Sequence, residues 1–170
     1  MPENQVSKIT LTKKHHLTAA LYASADLKKN TDQQTSPLDT LSFPVAPQMI
    51  GMLKKNLPQI FDNVIMTDEK VLPPEADILI VPEILSFENH IPFPAYNPHT
   101  CKIVSKITCY DKSDDIIFTQ TTTGNSQTGE NLFSGFKSQQ LSAEAVQLAL
   151  EDTVKQALEG LSEAGELVQD

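Results

Sequence analysis

Apolar and polar residues alternate from Ile9 to Ala23. Ile9, Leu11, Leu17, Ala19 and Leu21 fall on one parity, and Thr10, Thr12, Lys14, Thr18 and Tyr22 on the other. That period of two predicts a strand with one face buried and one wet. From residue 24 to residue 41 the pattern dissolves into Lys, Asn, Asp, Gln, Thr and Ser, which reads as a long polar loop. Met49, Ile50, Leu53, Leu57 and Ile60 then recur at helical spacing, with Pro47 suited to the first turn and Pro58 to the end. Val64 to Met66 predicts a short strand after that helix.

The most apolar run, Ala76 to Phe87, is rich in β-branched residues at its start and predicts a central strand, with Pro82 marking a bulge or its exit from the sheet centre. Proline punctuation from His90 to His99 excludes a helix. Cys101, Ile103, Ile107 and Cys109 alternate with Lys102, Val104, Lys106, Thr108 and Tyr110, giving a second half-buried strand. Asp111 to Asp115 is turn chemistry, and Ile116 to Thr123 returns as the hairpin partner. Residues 124–140 read as a second long polar loop. Val146, Leu150, Val154, Ala157, Leu158 and Leu161 then form one stripe of a long closing helix. These elements predict an α/β (α+β) fold: a mixed four- to five-stranded sheet with two main helices packed on it, in the order β-α-β-β-β-β-α. The chain is read as a single domain over 1–170, with a folded core at 7–162 and an acidic tail at 163–170.

Charge changes the picture by exclusion. The chain carries 13 basic residues, all lysine, against 22 acidic ones, for a net −9. Without arginine, bidentate clamps on phosphate are missing, and the acidity argues against nucleic acid as a partner. The acidity is local: residues 1–71 sum to +1, 72–143 to −4 and 144–170 to −6. The nearly neutral first part, with Lys28, Lys29, Lys54 and Lys55, is the candidate surface for a protein partner. No run approaches a membrane-spanning length, so a soluble chain is expected.

Chemistry-bearing residues are sparse. His15 and His16 are adjacent on a strand and point to opposite faces, so they cannot share one metal. His99 and Cys101 share a face, but no further ligand lies nearby in sequence. Cys101 and Cys109 on one strand stand about 25 Å apart, too far for a disulfide. Glu83 and Glu88 flank the central strand as a possible carboxylate pair. Asp111 to Asp115 lacks the glycine and closing glutamate of a calcium loop, and Gly124 to Gly129 is followed by no Gly-Lys-Ser/Thr. No metal, no cofactor and no catalytic residue is assigned. Phe87, Ile91, Phe93, Tyr96 and Phe133 are the candidate lining of an apolar ligand pocket.

Several segments in order carry a resemblance: Leu21-Tyr22-Ala23, Phe43-Pro44-Val45, Ile60-Phe61-Asp62-Asn63-Val64, Ala76-Asp77 ahead of Ile78 to Ile84, Tyr110-Asp111, and Ala145, Ala149, Leu150, Val154 and Leu158. Over residues 15 to 162 this order resembles small bacterial cell-envelope lipoproteins whose periplasmic domain is similar to the amino-terminal domain of TolB-like proteins. The resemblance implies an exported domain, periplasmic or associated with the outer membrane through an acylated N-terminal cysteine. It would act as a non-catalytic adaptor for another envelope protein in assembly, transport or secretion. No lipobox precedes Ser7, so membrane contact is expected only through such an anchor; a cytoplasmic location is the alternative. A small-molecule or lipid carrier, and behind it a metal-dependent or hydrolytic enzyme, are the competing functions.

Overall fold

The computed structural model describes residues 11, 13–25, 32–35, 40–90, 98–128 and 138–167. Its elements are β1 (His15–Tyr22), β2 (Asp32–Thr35), β3 (Thr40–Phe43), α1 (Val45–Asn56), β4 (Phe61–Thr67), β5 (Ile78–His90), β6 (His99–Tyr110), β7 (Ile116–Thr128) and α2 (Ser138–Glu163). A five-stranded sheet runs β4-β1-β5-β6-β7. β1 is parallel to both β4 and β5, whereas β5, β6 and β7 form an antiparallel meander. The expected α+β class and the order of strands and helices in this sheet are therefore observed.

Three boundaries differ from the sequence reading, each for a physical reason. The polar stretch 24–41 contains β2 and the start of β3, paired antiparallel from Asp32–Phe43 to Thr35–Thr40; a hairpin closed by backbone bonds needs no apolar alternation. The stretch 124–140 is not one loop, because β7 continues to Thr128 and α2 begins at Ser138. The end of the chain is not only an acidic tail: Ala164 and Leu167 are buried, on a 3-10 turn spanning Gly165–Leu167. The prolines act as their chemistry dictates. Pro47 lies in the first turn of α1, where the helix leaves N–H groups without partners. Pro58 sits in a 3-10 turn, Leu57–Gln59, directly after the helix. β5 pairs with β1 only from Ile78 to Ile80, and Pro82 follows where that pairing stops.

Burial is unequal on the two faces of the sheet. One face carries Leu21, Ile78, Ile80, Ile103 and Ile107 and is covered by Met49, Ile50 and Leu53 of α1 and by Val146, Leu150, Val154 and Leu158 of α2. On the other, a small cluster of Ala20, Ala76, Leu79 and Val81 is joined by Tyr22, Ile65, Leu72 and Tyr110. That cluster sits at the β4-β1-β5 end. Asp77 ties it to the sheet: its carboxylate accepts from the Thr18 amide at 2.9 Å, while its own amide donates to the Thr18 carbonyl at 2.8 Å. Ala76-Asp77 thus closes the backbone beside an irregularity in β1 between His15 and Thr18.

α2 lies unusually close to β7. A Cβ added at Gly124 would run into the Ala149 carbonyl oxygen and lie within 2.9 Å of two further backbone atoms of α2. Beside it, the buried hydroxyls of Ser105, Thr122 and Thr153 form a closed triangle at 3.0, 3.0 and 2.6 Å. Each can donate to one neighbour and accept from the other, so a polar seam is satisfied without water. Ser126 bonds the Ala145 carbonyl and Thr128 the Leu141 carbonyl, extending the same seam toward the start of α2.

Because the obstructing atoms at Gly124 are backbone, Gly124→Ala is expected to lower unfolding free energy by about 3 kcal/mol, at the upper end of overpacking costs. Gly51, exposed in the middle of α1 with nothing within 4 Å of an added Cβ, gives the opposite sign. Gly51→Ala should stabilise by about 0.5–1 kcal/mol. Urea denaturation of the two variants beside the parent protein measures both.

Candidate functional site

Among the described residues no helix covers the outward side of β5-β6-β7, and strand alternation decides what it presents. Glu83 stands across from Lys106, and Glu88 across from Lys102, which in turn faces Asn125. His90 stands across from Thr100. A groove of about 620 Å³ is lined by Glu88, His90, Thr100, Lys102 and Asn125, with Phe87 among the residues at its edge. Opposite charges directly across a ladder stabilise each other modestly and leave a face close to neutral. Leu85, 53% exposed, projects where the β5/β6 register shifts between Ile84 and Ser86.

The residues singled out in the sequence fall in different places. Of the candidate apolar pocket, Phe87 packs its ring 5.8 Å from that of Phe43, while Ile91, Phe93, Tyr96 and Phe133 lie outside the described residues. Lys54 and Lys55 are exposed in the last turn of α1, where cations complement the helix dipole; Lys28 and Lys29 lie outside the described residues. Glu83 and Glu88 both point outward, each opposite a lysine. Asp111 organises the hairpin turn by accepting from the amides of Ser113 at 2.8 Å and Asp115 at 3.0 Å, and Asp114 takes a φ of 64°.

The histidines divide by face. His16 is 88% exposed and pairs with Asp62 at 3.0 Å, which Lys14 also approaches at 3.2 Å; together they hold that carboxyl below its usual range. His15 is buried, stacks on Phe61 with centroids 5.7 Å apart, and bonds the Leu161 carbonyl through Nε2 at 2.9 Å. This latch between β1 and the end of α2 had no signal in the sequence beyond the parity of one residue. His99 and Cys101 do share the inner face, and both are buried. Burial pushes the Cys101 and Cys109 thiols up to about 12, so both stay protonated and unreactive near neutral pH. Among the described residues no group of three or more His, Cys, Asp and Glu could hold a metal ion.

No protein-family model matches the chain, and no curated protein matches it in sequence. In structure it is similar to protein XCC0632 from Xanthomonas campestris, of the DUF330 family, with a TM-score of 0.56 at 10% identity over 88% of this chain and 83% of that one. A minor lipoprotein from Acinetobacter baumannii superposes with a TM-score of 0.49 at 11% identity, covering 88% of this chain and 92% of that one. The first likeness shows a shared fold.

His99 makes stability depend on pH. Burial first, and His90 second, hold its imidazole below the ordinary 6.5, and its Nδ1 finds no partner among the described residues. The unfolded chain therefore takes up this proton at higher pH than the folded one. Stability is full above pH 6.5 and falls as the pH drops from there through the folded value. Asp62 and Asp77, both held below 3.8, act in a separate and lower window. In thermal unfolding between pH 7.5 and 5, His99→Gln is expected to flatten the decline, and an unchanged slope would refute the assignment.

Proposed function

We propose that the protein is a non-catalytic adaptor of the bacterial cell envelope, and that its partner protein docks on the open β5-β6-β7 face. The observation that carries this reading is the one-sided sheet: two helices cover the inner face, whereas the outer face holds an open groove with Glu88-Lys102-Asn125 across its floor. A near-neutral polar face flanked by one exposed leucine suits a reversible protein contact, in which complementary charge sets orientation and on-rate. The groups weighed for catalysis point the same way. The thiols are buried and protonated, and each candidate carboxylate stands opposite a lysine rather than another acid.

The envelope location rests on the sequence resemblance to small envelope lipoproteins, and the fold shared with the DUF330 protein is compatible with it. The similarity to the amino-terminal domain of TolB-like proteins, the periplasmic side of the outer membrane and an anchor on an acylated cysteine belong to the same proposal. A lipid-carrier role draws less support, since Glu88, His90, Lys102 and Asn125 set polar and charged groups among the groove's apolar surface.

A photo-crosslinking residue at Thr100, used in the envelope fraction of the source cell, is expected to capture one specific protein. Lys102→Glu should reduce that capture several-fold by putting two acids face to face. Recovery of no specific protein, or capture indifferent to Lys102→Glu, would sink the reading.

A further inference from the structure

Among the described residues, the five-stranded sheet has three stretches of strand edge without a neighbouring strand, and two of them are guarded. On β7, Asp152 of α2 accepts from the Asn125 amide at 3.2 Å and Gln156 donates to the Thr123 carbonyl at 2.9 Å, so α2 holds that edge. On β5 beyond Ile80, Pro82, Glu83, Glu88 and the register shift at Leu85 discourage an added strand. The outer edge of β4 has no such device. Asn63 to Thr67 pair without interruption with Thr18 to Tyr22 and contain no charge, no proline and no bulge. Thr67 gives its carbonyl to Ala23 at 2.8 Å, so alternation along the strand turns the N–H and C=O groups of Val64 and Met66 outward. Among the described residues no strand bonds to those groups, and Met66 is 36% exposed.

Charge at the two ends decides what fits this edge. Before it, Asp62 is matched by Lys14 at 3.2 Å and His16 at 3.0 Å. After it come Asp68 and Glu69, both exposed, at a bend where the Thr67 hydroxyl accepts from the Glu69 amide at 3.2 Å. Among the described residues neither acid has an ion pair, and the next cation, Lys70, lies over the Tyr110 ring at 5.4 Å. A second copy is opposed here, because antiparallel pairing about Ile65 would set Asp62 of each chain against Asp68 of the other. We infer that the edge takes an extended segment of another protein, basic where it passes Asp68 and Glu69 and uncharged along Asn63 to Thr67. The segment runs antiparallel, the slightly more stable pairing, so its basic residues come first. Backbone bonds to Val64 and Met66 hold it, and alternate side chains select it. Val64 and Met66 stand beside Ala19 and Leu21 of the core, so the segment's residues opposite them are apolar; those opposite Asn63 and Thr67, on the other face, are polar. This surface is separate from the β5-β6-β7 face of the adaptor reading and stands or falls without it.

The amidated peptide Lys-Lys-Thr-Val-Ile-Val-Thr follows that pattern from Glu69 back to Asn63. In an amide-resolved NMR titration of the full chain, it should saturate with a Kd of about 1 mM or below. The largest shifts should fall on the Val64 and Met66 amides. Replacing both lysines of the peptide by glutamate should weaken binding about five-fold or more, and Asp68→Lys with Glu69→Lys should reverse that preference. A methyl group on the backbone nitrogen of the valine opposite Met66 should abolish binding, which a purely ionic contact would survive. Met66→Pro removes an outward N–H and leaves the β1 ladder intact, so it should fold, as circular dichroism checks, yet not bind. Lys102→Glu, in the groove, should bind like the parent. No shift at Val64 and Met66, equal binding of the two peptides, or binding that survives the methyl group would each overturn the inference. So would a doubled chain mass in sedimentation that Met66→Pro returns to single, since a second copy would then hold the edge.

Discussion

The close approach of α2 to β7 is the constraint on which the rest of the molecule depends. A helix that rests on a sheet through leucines can slide or rotate at small cost, because hydrophobic contact has no direction. This helix cannot. Gly124 lets its backbone sink against the strand, and the Thr153 hydroxyl reaches Ser105 and Thr122 only when helix and sheet hold one register. Sliding the helix out of register would break both bonds of Thr153 and leave its buried hydroxyl without a partner, at about 1–3 kcal/mol, while Ser105 and Thr122 would keep only each other. The seam therefore selects one packing out of the many that Val146, Leu150, Val154 and Leu158 alone would accept.

Fixing α2 has consequences at both of its ends and along its side. At the C-terminal end, the Leu161 carbonyl meets His15, which locks β1 and brings the buried Leu167 onto the core. Toward its beginning, Ser142 accepts from Asn89 at 2.7 Å and Thr128 bonds the Leu141 carbonyl, joining the far ends of β5 and β7 to the helix. Along its flank, Asp152 and Gln156 reach past the core to occupy the β7 edge. One helix thus supplies cover for the inner face, a tie to the first strand and protection for the last. The outer face of the meander receives nothing from this helix.

Legibility in the sequence followed the kind of force that holds each element. Where apolar burial dominates, as in Cys101 to Cys109 and in the stripe from Val146 to Leu161, periodicity located strand and helix. The opposite faces of His15 and His16 followed from strand geometry alone. Where polar contacts dominate, it failed: Gly124, Asn125, Ser126 and Gln127 have loop composition, yet they are strand because glycine admits the helix and Ser126 bonds the Ala145 carbonyl. The β2/β3 hairpin escaped notice for the same reason, since Asp32-Gln33-Gln34-Thr35 has no apolar rhythm. The polar groove was equally hidden. Glu88, Lys102 and Asn125 are far apart in the chain, and only a register fixed by tertiary packing sets them side by side. Of the residues expected to line an apolar pocket, Phe87 sets its ring 5.8 Å from that of Phe43, and the other four lie outside the described residues.

The uneven charge now has a structural meaning that its total did not carry. Most of the acidity belongs to the helix that forms the second layer and to the residues after it, where carboxylates such as Glu144 and Glu163 face water. The sheet is different: its acids stand beside lysines, as Glu83 with Lys106, Glu88 with Lys102, and Asp77 with Lys112 at 3.0 Å. The fold thus has one acidic layer and one in which the sheet's acids are matched by lysines. The missing arginine sharpens that contrast. Lysine neutralises a facing carboxylate as a point charge but offers no planar fork, so the balanced layer holds matched charges and no bidentate guanidinium clamp.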